Sequence, residues 1–135
     1  MIGCKVELNT VGDYSMFAAD RDSYNFDLFV SAWYSDYNDP LDFLHIFGTG
    51  MYGSYGQYSS AEYDALLDSL TGLNDSAQRF EIYQQLEAKL LLEDSAAAPL
   101  WYADQHFYIH NWVQDFNTSS FGGSSEVTYT SISGK

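Results

Sequence analysis

Two stretches of the chain carry the 3.6-residue rhythm of amphipathic helices. In residues 77–94, "AQRFEIYQQLEAKLLLED", Phe80, Tyr83, Leu86 and Leu90 recur at three- and four-residue spacing, which predicts a helix with one buried stripe. Asp75 and Gln78 stand ahead of it as a capping box, in which each end residue can satisfy the other's orphan amide. Residues 61–70, "AEYDALLDSL", predict a second helix behind a box formed by Ser59 and Glu62. A third is expected over 13–23 with Asp13 as its cap. Pro40 opens a short fourth, "PLDFLHIF", at a first-turn position where its missing N–H costs nothing.

The strand signals are shorter. "CKVELNTV", 4–11, alternates apolar and polar residues with period two. "FDLFVSAWY", 26–34, is largely apolar and suits a strand buried on both faces. "AAAPLWYADQHFYIH", 96–110, reads as a strand begun at Pro99, and "EVTYTSI", 126–132, as a last short one. The expected class is α/β, a small sheet with helices packed on it. No internal repeat is present.

Composition narrows the functions. The 135 residues suffice for one domain with a core, and 46% are hydrophobic. No apolar run approaches the roughly 20 residues of a membrane-spanning helix. Nineteen acids against five bases give a net charge of −14, which repels a phosphate backbone, so nucleic acid is not an expected partner. Tyrosine alone contributes 12 residues, an abundance that suits contact surfaces as well as packing. The lone cysteine, Cys4, can form no internal disulfide and reads as a small buried hydrophobe. "MIGC" imitates the end of a lipoprotein signal but lacks the charged and apolar regions that should precede it.

The densest chemistry lies in "WYSDYNDPLDF", residues 33–43, where Trp33, Tyr34, Tyr37 and Phe43 interleave with Asp36, Asp39 and Asp42. An aromatic face beside a fixed carboxylate suits an ammonium group, through charge-assisted hydrogen bonds and cation–π attraction. The competing reading is a solvated turn in which Asp36 caps the Pro40 helix. Both stay open on the residues alone. Asp36 and Asp39 could instead serve as the paired carboxylates of a carbohydrate-active enzyme, although a spacing of three does not set the separation that mechanism needs.

Other chemistries fail on context. "GTGMYG" at 48–53 matches G-x-G-x-x-G, but a helical segment precedes it and no helix opens on it. His106 and His110 would project about 13 Å apart on one face of a strand, too far to share a metal. "DYNDPLD" has Leu41 where a calcium loop needs glycine. No nucleophile-elbow motif is present. No metal and no cofactor enters the reading.

Taken in order, "FDLFVSAWYSDYNDPLDFL", the Gly/Tyr loop, "YSSAEYDALL" and "RFEIYQQLEAKLLLEDSAAAPLWY" resemble the C-terminal part of the oligopeptide- and dipeptide-binding proteins of ABC importers, the family 5 extracellular solute-binding proteins. The resemblance covers roughly residues 2–115. It implies a partial lobe of a type II periplasmic-binding-protein-like fold, with 1–98 part of the second ligand-binding lobe and 99–135 a hinge-side strand and a segment returning toward the first. The chain is then expected to be a C-terminal fragment of a longer protein that is not an enzyme, binds peptides, delivers them to a membrane permease and works outside the cytoplasm, in the periplasm or as a cell-surface lipoprotein. Nickel chelates and oligosaccharides are the other ligands such a family implies. Carried over by position, Trp33 and Tyr34 line the ligand cleft and Asp36 takes the peptide's α-ammonium. Ser54 and Tyr55 of the Gly/Tyr loop and Tyr102 complete the expected contacts, although the loop departs from the family's usual Asn- or Thr-containing one.

Overall fold

The computed structural model describes residues 3–51, 57–104, 106–119, 121 and 125–134. Helix α1 spans Tyr14–Asp22, and the Asp13 side chain accepts from the Ser15 amide at 2.7 Å, as its cap position predicts. Helix α2 spans Leu41–Leu44 behind Pro40 and tightens into a 3₁₀ turn over His45–Phe47. Helix α3 spans Ala61–Ser69, and α4 spans Ser76–Glu87 and continues in wider π-type turns over Ala88–Glu93. Asp75 caps α4 through the Gln78 amide at 2.9 Å, again as the pattern predicts.

The core lies where α2, α3 and α4 meet, around Leu44, Tyr63, Leu70, Tyr83, Leu86 and Leu90. Tyr63 is fully buried, and its hydroxyl donates to the Leu44 carbonyl at 2.8 Å, tying α3 to α2. Gly72 turns the chain between α3 and α4 at φ 75°, a left-handed conformation that a Cβ would strain. Lys89 joins the two long helices through Glu62 at 2.6 Å and also meets Glu93 and Asp94.

Two helical details differ from the pattern. Ser60, not Ser59, caps α3, and Glu62 pairs with Lys89 instead of closing a box. Phe80 is 59% exposed, because the inward position at that level belongs to Arg79. The half-buried Arg79 donates to the Leu73 carbonyl at 3.2 Å and to Asp39 at 2.8 Å, and the buried stripe is Tyr83, Leu86 and Leu90.

The strand expectations diverge more. Residues 4–11 and 26–34, and the described residues of 96–110, join neither sheet. Val6, Leu8, Leu28, Val30, Leu100 and Trp101 are exposed, and so is Cys4, which is not the buried hydrophobe expected. Period-two alternation or an apolar run shows which faces a strand would offer, but a strand exists only with a ladder partner. The pairing seen falls at the C-terminal end. β1 (Val113–Gln114) pairs antiparallel with β4 (Ser131–Ile132), and β2 (Asn117–Thr118) with β3 (Ser125–Glu126). These are two separate two-stranded sheets, and Asp115, between β1 and β2, has a φ of 55°. The result is a small α/β domain in which helices pack on helices, not on a sheet.

Candidate functional site

The 33–43 stretch folds into a turn held from below. Asp42, the second residue of α2, is fully buried. Its Oδ2 accepts two hydrogen bonds, from the Trp33 indole Nε1–H at 3.1 Å and from the Asp36 amide at 2.9 Å. Its Oδ1 is buried with no hydrogen-bond partner among the described residues. One carboxylate oxygen therefore joins the aromatic and the acid that the residue pattern singles out.

Asp39 has a different task. Its Oδ1 accepts from the Leu41 amide at 2.8 Å, capping α2, and from the Tyr83 hydroxyl at 2.6 Å. Its Oδ2 meets the Arg79 guanidinium at 2.8 Å. Arg79 and Tyr83, one helical turn apart on α4, also contact each other. Partial burial pushes the Asp39 carboxyl up, but the Tyr83 hydroxyl, the Leu41 amide and Arg79 outweigh it and hold the group below its ordinary value. Burial, with Asp39 as acceptor, pushes the Tyr83 hydroxyl up to about 12. The cap expected of Asp36 is thus made by Asp39.

Asp36 consequently has its backbone fixed while its side chain lies on the exposed face. Trp33 is half-buried above Asp42, Tyr34 is 52% exposed, and Tyr37 is exposed beside the acids. The Tyr37 hydroxyl is pushed up by burial first and then by the charges of Asp42, Asp39 and Asp36, with Arg79 opposing them. The geometry brings Trp33 and Asp36 together. Tyr102 is fully exposed in the irregular 96–104 segment. Ser54 and Tyr55 lie outside the described residues.

Such a turn can hold a cation but is poorly arranged for two-carboxylate hydrolysis. A general acid needs a raised pKa. Asp39 moves the other way, and both its oxygens are occupied. Among the described residues no group of three or more His, Cys, Asp and Glu side chains is placed to hold a metal. An open groove of about 510 Å³ between α3 and α4, lined by Glu62, Leu66, Gln85 and Lys89, contains none of the expected site residues.

The residue pattern placed Asp42 in the stretch without giving it this task, and missed Arg79 and Tyr83 as parts of the site. A signal for the last two was present: Arg79 is one of five bases in a chain of net charge −14, and it stands four residues before a tyrosine on a helix.

No protein-family model matches the chain. It is 29% identical over 112 residues to the periplasmic oligopeptide-binding protein OppA of Salmonella typhimurium, covering 83% of this chain and 20% of that protein. It is also 29% identical over 101 residues to the probable deoxycholate-binding periplasmic protein YgiS of Escherichia coli, covering 75% of this chain and 18% of that protein. A dipeptide-binding protein of Lactococcus lactis is 36% identical over 74 residues, 53% of this chain and 14% of its own length. The chain spans about a fifth of the length of the first two relatives. All three are binding proteins, not enzymes.

Proposed function

We propose that the chain is part of the peptide-binding component of an ABC importer, working outside the cytoplasm and passing peptides to a membrane permease. The observation that carries this reading is the Trp33–Asp36 turn, fixed at a single oxygen of Asp42 with the Asp36 carboxylate left facing solvent. The similarity to periplasmic oligopeptide-binding proteins supports it independently.

On this reading Asp36 accepts hydrogen bonds from the α-ammonium of a peptide, and Trp33 and Tyr34 offer aromatic faces to its first residues. Tyr102, Ser54 and Tyr55 are the remaining contacts. Residues 1–98 belong to one ligand-binding lobe of a type II binding-protein fold, and 99–135 run toward the other. The chain binds and does not catalyse. Enclosure between two lobes would bury the ligand and supply the motion that a permease senses.

An NMR titration of the 135-residue chain with trialanine, N-acetyl-trialanine and deoxycholate tests the proposal. Deoxycholate enters because one relative is described as binding it. Trialanine should perturb the Trp33 and Asp36 resonances with an affinity no tighter than about millimolar. An exposed charge pair contributes only about 0–1 kcal/mol, and one open face removes little of the ligand's surface from water. The acetylated peptide should bind more weakly. Equal perturbation by both peptides would remove the ammonium from the reading, and a response to deoxycholate alone would replace peptides with an amphipathic acid.

A further inference from the structure

We infer that Asp42 is the positioning residue of this site: one buried oxygen sets the Trp33 ring and the Asp36 backbone in a fixed mutual geometry. The inference rests on the peptide-binding reading for its purpose, but its geometry stands without a ligand.

Burying a carboxylate is costly, and a turn needing only a hydrogen-bond acceptor could use a neutral side chain. Here a fully buried aspartate spends a single oxygen on both donors. The two donors come from residues three apart that would otherwise be set independently, one by an indole torsion and the other by a backbone amide. Joined at Oδ2, they cannot move separately. The carboxylate itself is held by the α2 backbone, where the Asp42 amide donates to the Asp39 carbonyl at 3.0 Å. Asp39 is in turn fixed to α4 through Tyr83 and Arg79. The chain of contacts runs from the core helix through Asp39 and Asp42 to the two residues that face the ligand. An exposed turn by itself would leave Asp36 to sample many orientations, and ordering it on binding would weaken affinity.

The test uses the intact chain and its Asp42→Ala and Asp42→Asn variants. Hydrogen exchange is read by NMR at the Trp33 indole N–H, the Asp36 amide and the core amides of Leu67 and Leu86. Asp42→Ala should speed exchange at Trp33 and Asp36 together by about ten- to a hundredfold, the factor that corresponds to a hydrogen bond with a charged acceptor. Leu67 and Leu86 should keep their protection. Asp42→Asn retains an acceptor oxygen and should restore most of the protection at both sites. Unchanged exchange at Trp33 and Asp36 in Asp42→Ala would overturn the inference. So would a uniform loss that includes Leu67 and Leu86, since Asp42 would then be one more core residue. Trialanine added to the same samples separates this from the functional reading. A parent chain that ignores trialanine sinks the peptide proposal while the exchange data still decide the positioning role. A parent and an Asp42→Ala variant that bind it equally well would remove Asp42 from the site.

Discussion

Replacing Tyr83 with phenylalanine isolates the contact that fastens the candidate site to the core. The Tyr83 ring is 7% exposed among the α2–α4 core residues, and phenylalanine keeps it. The change removes the hydroxyl, which donates to Asp39 Oδ1 at 2.6 Å and accepts from the Arg79 guanidinium, a group that keeps its direct bond to Asp39. A hydrogen bond to a charged group contributes about 1.5–3 kcal/mol. The Asp39 side chain is 30% exposed, so water replaces part of what is lost and the expected cost lies at the lower end, about 1.5 kcal/mol. That corresponds to a fall in Tm of roughly 5 °C. Urea unfolding followed by circular dichroism, at pH 7 and again near pH 3, gives the measurement. The folded state holds the Asp39 carboxyl below its ordinary value of 3.8, so the stability linked to it is complete above that value and is lost as pH falls through the lower folded one. The gap between parent and variant should therefore be full at pH 7 and shrink near pH 3. At the alkaline end the sign reverses. The Tyr83 hydroxyl is raised from 10.0 to about 12, so its contribution is complete below 10 and lost as pH rises toward 12, a sensitivity the variant should lack. A gap below about 0.5 kcal/mol at pH 7, or one of equal size at both acid and neutral pH, would refute the assignment of Tyr83 as the donor to an ionised Asp39.

Three further outcomes are expected. Leu86→Ala empties the centre of the core, where Leu86 is fully buried, and should cost about 2–5 kcal/mol in guanidinium unfolding. Ser60→Ala should cost about 1 kcal/mol as a lost helix cap and Ser59→Ala clearly less; thermal melts showing the reverse order would return the cap to Ser59. Asp36→Asn should lower affinity for trialanine by no more than about fivefold, because the carboxylate is exposed, and leave N-acetyl-trialanine nearly unaffected. An equal loss for both peptides would give the carboxylate another task.

What the sequence determined by itself is local. Helix starts follow from a side-chain oxygen reaching an amide two or three residues on, so Asp13 and Asp75 could be assigned from their neighbours alone. Pro40 ahead of an apolar repeat marked α2 for the same reason, and the spacing of Tyr83, Leu86 and Leu90 marked the buried face of α4. The 33–43 stretch stood out because aromatics and acids interleave there, but its residues alone left an ammonium site and a solvated turn both open. Tertiary structure decided the rest. Nothing near position 42 in the sequence tells it from the other acids of the stretch, and the fold buries it beneath Trp33. Arg79 is half-buried and Phe80 exposed, an order that the pattern reverses, and a carboxylate forty residues earlier in the chain meets Arg79. The described residues of the strand-patterned segments 4–11, 26–34 and 96–110 remain outside both sheets, since alternation specifies a face and only a neighbouring chain segment can supply the ladder. Local hydrogen bonds such as those of Asp13 and Asp75 are encoded within a few residues. Burial, pairing and the company a charge keeps depend on what the fold brings alongside.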